Sequence, residues 1–120
     1  MTLSIQQIVD VARNAAEEKK AQDITVLNIS GISVICDYFV ICSGQTGIQV
    51  KAIAENIIDR LIERGVAPKR REGLREGNWI LLDYGDVVVH VFREEERAFY
   101  NLERLWGDAQ VVNNSVVSQN

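Results

Sequence analysis

The sequence predicts a single α/β domain with a mixed sheet of about five strands flanked by about three helices. The chain has 120 residues, which is enough for one domain with a hydrophobic core but too few for two. Its 47% hydrophobic and 25% charged residues are ordinary for a globular protein. Segments with a helical apolar period alternate with short segments rich in β-branched residues, which is the pattern of helices packed on a sheet.

The first helix is predicted over residues 5–20, after Ser4, which together with Gln7 resembles a capping box. Residues 23–29 are rich in β-branched side chains and predict a strand. Residues 38–42 are apolar without alternation, which is typical of a strand buried on both faces. This second strand is therefore expected near the centre of the sheet.

A second helix is predicted after the loop SGQTG, where Thr46 and Gln49 suggest another capping box and Gly65 suits the C-terminal cap. The same loop could place backbone N–H groups on an anion, but no GKS or GKT follows it, so we interpret it as a turn and cap. The helix should lead into a short strand at residues 68–72. The proline and the KRR run of that strand suit an exposed edge.

The stretch GNWILLDYGDVVVHVF (77–92) predicts a β-hairpin. Its strands cover residues 78–84 and 87–92, and Gly85–Asp86 forms a two-residue turn. Glutamates at the start of the next segment complement the dipole of a last helix, EEERAFYNLERLWG. The folded domain is predicted to span residues 1–109, followed by a loose tail at 110–120.

Counting outward from the two-residue turn pairs Leu81 with His90 and Trp79 with Phe92. Because strand side chains alternate, one face of the hairpin is almost purely apolar and belongs on the core: Ile80, Leu82, Tyr84, Val87, Val89 and Val91. The other face is mixed: Trp79, Leu81, Asp83, Val88, His90 and Phe92.

His90 is the only histidine, and Asp83 is its diagonal neighbour in this register. Such a pair could orient a general base, or Asp83 could simply fix the tautomer of a structural His90. A metal-dependent nucleotidyl or phosphoryl transferase using Asp83, Asp86 and His90 is the alternative function. It would want two carboxylates one residue apart on a strand, whereas Asp83 and Asp86 lie three apart across a turn. We therefore expect no catalytic residue, metal site or cofactor.

The net charge of −4 disfavours a protein that binds nucleic acid mainly through phosphates and favours a basic partner. Lys69, Arg70 and Arg71 leave room for a peripheral RNA contact at most. Cys36 and Cys42 are too few for a disulfide framework and are expected to be reduced and buried. No signal peptide is recognisable, and no apolar segment approaches the ~20 residues that span a bilayer, so a soluble cytoplasmic protein is expected.

The two tryptophans have two interpretations that the pattern leaves open. Trp79 lies on the mixed face of the hairpin, and Trp106 ends the last helix beside charged residues. Each is either a core aromatic or an anchor of a protein interface, where partly exposed tryptophans are enriched.

Beyond these patterns, the sequence resembles the ribosomal silencing factor family, also called the Iojap family. The matching segments stand in family order and cover roughly residues 4–109. They are DYFVICSG (37–44), QVKAIAENI (49–57), EG (72–73), NWILLDYGDVVVHVF (78–92) and RAFYNLERLWGDA (97–109).

The resemblance implies an α/β fold related in outline to nucleotidyltransferases but without their activity. It implies binding to the large ribosomal subunit through ribosomal protein number fourteen of that subunit. The bound factor is expected to block joining of the small subunit and so repress translation under nutrient limitation. A homodimer in isolation is a further expectation, because the family is often dimeric.

The resemblance also implies a set of partner-binding residues: Trp79, Leu82 and Asp83 on the hairpin, and Arg97, Tyr100 and Trp106 on the last helix. Leu82 is in conflict with the hairpin register, which places its side chain on the core face.

Overall fold

The computed structural model describes residues 3–101 and 110–112. This part of the chain forms three helices and six strands. In chain order they are α1 (Ile5–Glu18), β1 (Gln22–Asn28), β2 (Tyr38–Gly44), α2 (Gly47–Glu63), β3 (Arg70–Glu72), β4 (Trp79–Asp83), β5 (Val87–Arg93), α3 (Glu94–Tyr100) and β6 (Gln110–Val111). The prediction of an α/β domain with a mixed sheet and three helices is confirmed.

The strands form one sheet in the order β3-β4-β5-β2-β1-β6. β2 and β5 run parallel, and the other neighbouring pairs run antiparallel. β2 is paired on both sides, as its uninterrupted apolar sequence predicted. β3 lies at one edge with its residues exposed, as its charged sequence predicted.

The two long helices begin at side-chain caps. Ser4 Oγ accepts from the Gln7 N–H at 3.1 Å, and Gln7 Oε1 accepts from the Ser4 N–H at 2.8 Å, which completes the predicted capping box of α1. In α2 only half of the predicted box forms, because Thr46 Oγ1 accepts from the Gln49 N–H while Gln49 Oε1 accepts from elsewhere in the loop. Gly65, with φ +84°, follows the C-terminal end of α2 as expected.

The helices α1 and α2 cover one face of the sheet, which we call the core face. The main hydrophobic core lies between these two helices and the sheet. The inward-facing residues of the hairpin belong to this core: Ile80, Leu82, Tyr84, Val87, Val89 and Val91. We call the opposite face the outer face. It carries a second, smaller cluster: Leu27, Ile29, Cys36, Ile41, Val88 and Phe92, with Phe39, Trp79 and Leu81 half-buried against it.

The β4–β5 hairpin has the register that the sequence predicted. Leu81 pairs with His90 and Trp79 pairs with Phe92. The Tyr84 N–H donates to the Val87 carbonyl at 2.8 Å, which closes a two-residue turn.

The sixth strand was not predicted. Gln110 and Val111 pair with the free edge of β1, and the Val112 N–H donates to the Val26 carbonyl at 2.7 Å. The Val112 side chain packs against the main core. The expected loose tail therefore does not describe residues 110–112, because an unpaired strand edge and an apolar core are both within reach. Residues 113–120 lie outside the described residues.

Candidate docking surface

Aromatic rings dominate the outer face of the hairpin and extend onto β2. The rings of Trp79 and Phe92 stack with centroids 4.9 Å apart. Phe39 of β2 meets the His90 ring edge-on at a centroid distance of 4.6 Å. Trp79 and Phe39 are half-buried, whereas Phe92 and His90 lie beneath them and are buried. The outermost rings thus rest on a packed aromatic layer.

Trp79 and His90 are joined by a side-chain hydrogen bond. Trp79 Nε1 donates to His90 Nδ1 at 3.0 Å. An indole N–H can only donate, so Nδ1 must be the unprotonated nitrogen and the proton of the neutral imidazole lies on Nε2. Burial lowers the pKa of His90 to about 4, which keeps the ring neutral near pH 7.

The predicted pair between Asp83 and His90 is wrong. Asp83 Oδ1 accepts from the Gly85 N–H at 2.8 Å, and its Oδ2 lies 3.6 Å from Nε of Arg70 on β3. An aspartate two residues before a turn glycine readily accepts a hydrogen bond from that glycine's N–H. In this turn the local bond forms in place of a contact between Asp83 and His90. Trp79 is the other diagonal neighbour of His90 in the same register, so its indole N–H was a second possible partner that the register alone could not rank against Asp83.

Gly73 fixes the position of Trp79 from the backbone side. A Cβ atom at Gly73 would lie 2.0 Å from the Trp79 carbonyl oxygen, and the glycine has φ +82°. Only glycine accepts both the left-handed conformation and this close approach. The segment EG of the resemblance contains this residue, but the reason for the glycine becomes visible only in three dimensions.

Leu82 corrects the expected set of partner-binding residues. Its side chain is 0% exposed and lies in the main core, on the face covered by the helices. The hairpin register therefore settles the conflict seen in the sequence, because a residue at this position of β4 points away from the outer face. The Leu82 side chain offers nothing for a partner to touch in this fold.

Arg97 of α3 makes extensive contacts within the chain. Its guanidinium donates to the Asp23 carbonyl at 2.6 Å, and it also reaches Ser43 Oγ and Thr25 Oγ1, both at 3.3 Å. Asp23 has φ +51° where the register of β1 shifts against β2, so a bulge turns its carbonyl toward the arginine. Arg97 thereby fixes α3 to the strands. No sequence pattern predicted this long-range contact.

Two of the expected partner residues cannot be placed. Tyr100 is the last residue of α3, but its side chain is not described. Trp106 lies outside the described residues. Both remain predictions.

The residues of the alternative transferase are not assembled into a reactive set. Asp83 holds the turn, Asp86 is exposed at its tip, and His90 is buried with Nδ1 bonded to Trp79. Among the described residues no group of three or more His, Cys, Asp or Glu side chains is arranged to hold a metal ion.

The remaining candidate groups also lack chemical signs of a site. Cys36 and Cys42 are free and buried as predicted, and burial raises the pKa of Cys36 to about 11 and that of Cys42 to about 12. Such thiols are inert at neutral pH. On β3, Arg70 lies 3.2 Å from Glu72, so part of the basic run is neutralised. No helix within residues 3–101 and 110–112 combines the length and apolarity needed to cross a membrane.

Comparison with known proteins identifies relatives along nearly the whole chain. The family model described as "Ribosomal silencing factor during starvation" matches residues 2–120. A protein named ribosomal silencing factor RsfS from Halalkalibacterium halodurans is 49% identical over 110 residues, which is 92% of this chain and 94% of the relative. The protein of that name from Bacillus subtilis is 51% identical over 102 residues, covering 85% and 86%. A crystal structure from Chromobacterium violaceum has a TM-score of 0.85 at 38% identity and covers 88% of both chains.

Proposed function

We propose that this chain, which belongs to the ribosomal silencing factor family, binds the large ribosomal subunit and blocks joining of the small subunit. Its contact on that subunit is ribosomal protein number fourteen, and the outcome is repression of translation under nutrient limitation. The observation that carries the proposal is the outer face of the hairpin, where a half-buried Trp79 rests on buried aromatic rings.

A factor of this kind needs a rigid surface that excludes a competitor sterically, and it needs no turnover. Trp79 is held by the stack on Phe92, by the hydrogen bond to His90 and by the backbone approach of Gly73. A side chain held in place before binding loses little conformational entropy when a partner arrives. These contacts support Trp79 as the anchor of the interface.

Charge supports a basic protein as the partner. The chain has a net charge of −4, and the half-buried Asp83 sits at the rim of the aromatic face. Complementary charge speeds the encounter with a basic protein surface. The negative charge of this chain repels phosphate-rich surfaces. Within the proposal, Trp79 and Asp83 contact the partner directly, and Tyr100 and Trp106 extend the contact from the last helix.

Arg97 contributes by fixing that helix on the sheet, since its guanidinium is bonded to β1 and β2. The chain acts in the cytoplasm without catalysis, metal or cofactor. We propose that the protein is a homodimer when it is not bound to the ribosome. Sedimentation of the free protein measures this oligomeric state.

The experiment mixes purified large and small ribosomal subunits and follows their reassociation by light scattering, with the protein at equimolar concentration. Reassociation should be suppressed, and the protein should cosediment with the large subunit alone. Unchanged reassociation together with no binding to the large subunit would overturn the proposal.

The Trp79→Ala variant tests the site. Loss of a buried tryptophan anchor typically costs about 2 kcal/mol or more, which is roughly a thirtyfold loss of affinity. Ile62→Ala is the matched control, because Ile62 is 50% exposed near the C-terminal end of α2, the helix that covers the core face. Wild-type affinity of Trp79→Ala would remove Trp79 from the interface.

A further inference from the structure

The loop between β1 and β2, residues 29–37, exposes three large aliphatic side chains. Ile32 is 50% exposed, Ile35 is 81% exposed and Val34 is 104% exposed, so the Val34 side chain is fully open to solvent. Single exposed apolar residues are common, but three within four positions form a patch. Such patches on folded proteins mark places where another molecule binds.

The loop is held in shape by its own hydrogen bonds. Asn28 Oδ1 accepts from the Ser30 N–H at 3.0 Å, and Ser33 Oγ accepts from the Ile35 N–H at 3.1 Å. The Ile29 carbonyl accepts from the Ser33 N–H at 2.8 Å. The apolar tip is therefore presented on an ordered backbone, which reduces the entropy lost on binding.

The base of the loop is continuous with the outer face. Ile29 and Cys36, which flank the tip, are buried in the same cluster as Val88 and Phe92. The Asp86 carbonyl accepts from the Asp37 N–H at 2.9 Å, which ties the loop to the turn of the hairpin. The aliphatic tip thus extends the aromatic surface of Trp79 and Phe39 past the end of the hairpin.

Three carboxylates surround this junction. Asp37 belongs to the loop, Asp86 belongs to the hairpin turn, and Asp83 precedes that turn and is paired with Arg70. All three lie close enough to raise the pKa of the Cys36 thiol beyond the effect of its burial. The apolar tip of the loop therefore projects from a region that contains several carboxylates.

We propose that the β1–β2 loop is a second contact of the docking surface, which inserts Val34 and Ile35 into an apolar depression bordered by lysines or arginines on a protein of the large ribosomal subunit. The inference rests on the proposed function and adds to it the part of the chain that touches the partner beside the hairpin. Exposed aliphatic side chains find no match on a phosphate backbone, and the carboxylates repel it, so the contact is protein rather than RNA.

The carboxylates at the foot of the loop also argue against two other binding partners, a membrane surface and a second copy of this chain. An anionic membrane surface would attract lysines and arginines beside the apolar tip, whereas the charged groups near Cys36 at the base of this loop include Asp37 and the exposed Asp86. A second copy docked symmetrically through the same loop would bring these carboxylates toward their own counterparts. A basic protein surface satisfies both the apolar and the acidic parts.

The test compares the double variant Val34→Ser/Ile35→Ser with the wild type in binding to purified large subunits. Because Val34 and Ile35 are exposed, the variant should keep the stability of the wild type. Its affinity should fall roughly tenfold or more, as expected when two aliphatic side chains lose their burial in an interface. Ile62→Ser is the matched control: Ile62 is 50% exposed on α2, which covers the core face, and its replacement should leave the affinity unchanged.

The charge of the junction is tested by Asp86→Asn, with Asp59→Asn on the exposed side of α2 as the control. Asp86→Asn should lower the association rate and weaken its dependence on salt, while Asp59→Asn should leave both unchanged.

The outcomes separate the two proposals. Absence of binding by the wild type overturns the proposed function itself. Binding by the wild type with equal affinity of the double variant overturns the loop contact alone. A double variant that binds subunits normally but loses binding to naked ribosomal RNA, to anionic vesicles or to a second copy in sedimentation also overturns it, because each result assigns the tip to another occupant.

Discussion

The indole N–H of Trp79 is bonded within the chain, to His90 Nδ1 at 3.0 Å. Trp79 therefore keeps its only polar atom for its own sheet and offers a partner the surface of its rings. His90, the sole histidine, serves this arrangement as a buried acceptor. The stretch that invited an acid–base mechanism is thus a support for an aromatic surface.

Replacing His90 by Phe should destabilise the fold, because the Trp79 indole N–H loses its acceptor in a partly buried position. The expected decrease in the free energy of unfolding is about 1–3 kcal/mol, measured by chemical denaturation. The Trp79 indole proton should also move in the NMR spectrum and exchange faster with solvent. His90→Gln is the matched control, since its amide oxygen can accept the same bond. An unchanged indole resonance in His90→Phe would contradict the hydrogen bond.

The stability of the protein should fall as the pH is lowered from about 6.5 to about 4. Burial lowers the pKa of His90 to about 4 in the folded protein, while a histidine in the unfolded chain has its ordinary pKa of 6.5. The unfolded state therefore takes up a proton first, and stability that is complete above pH 6.5 is lost through this window. The loss is of order 3 kcal/mol. His90→Gln should remove this part of the pH dependence in denaturation experiments, and an identical profile would count against the assignment.

Gly73→Ala should displace Trp79 as well as destabilise the fold. The new Cβ would meet the Trp79 carbonyl oxygen at 2.0 Å, in addition to the strain of φ +82°. Gly65→Ala carries a similar strain, at φ +84°, but has open space around its Cβ, so it isolates the conformational cost of about 1–2 kcal/mol. We expect Gly73→Ala to cost more than Gly65→Ala in thermal unfolding and to change the Trp79 indole resonance. Equal destabilisation by Gly73→Ala and Gly65→Ala would show that the segment around Gly73 can move away from Trp79 freely.

Leu82→Ala should act on stability and not on a contact with a partner. Removing a fully buried leucine costs about 2–5 kcal/mol, which equilibrium unfolding measures. The fraction of the variant that remains folded should bind the large subunit with the wild-type affinity. Leu82→Met, which conserves volume, should be close to the wild type in both measurements. Weaker binding by folded Leu82→Met would return Leu82 to the interface.

Arg97→Ala should loosen α3 from the sheet, because the Asp23 carbonyl and the Ser43 hydroxyl lose a charged donor. Hydrogen exchange in residues 94–100 should become faster, while α1 and α2 stay protected. Arg75→Ala, at an exposed arginine, is the control. Unaltered exchange in α3 would mean that other contacts hold the helix.

The register of the hairpin could be predicted because its turn and its alternation of side chains are local. The partner of His90 could not be decided in the same way, since Asp83 and Trp79 are both its diagonal neighbours and the choice depends on the bond between Asp83 and Gly85. The contact between Arg97 and Asp23 joins segments far apart in the chain and depends on a bulge, so no periodic pattern reports it. The pairing of Gln110 and Val111 with β1 was missed because two residues carry no period.

The sheet ends in very short strands, three residues in β3 and two in β6, and all three residues of β3 are charged. A foreign strand needs a longer unpaired edge to add to a sheet, and charges on the edge oppose such addition. Addition of a foreign strand at the β3 edge is therefore disfavoured even when the protein is concentrated on a crowded particle. The fold can display aromatic and aliphatic groups on one face while the charged β3 edge opposes aggregation.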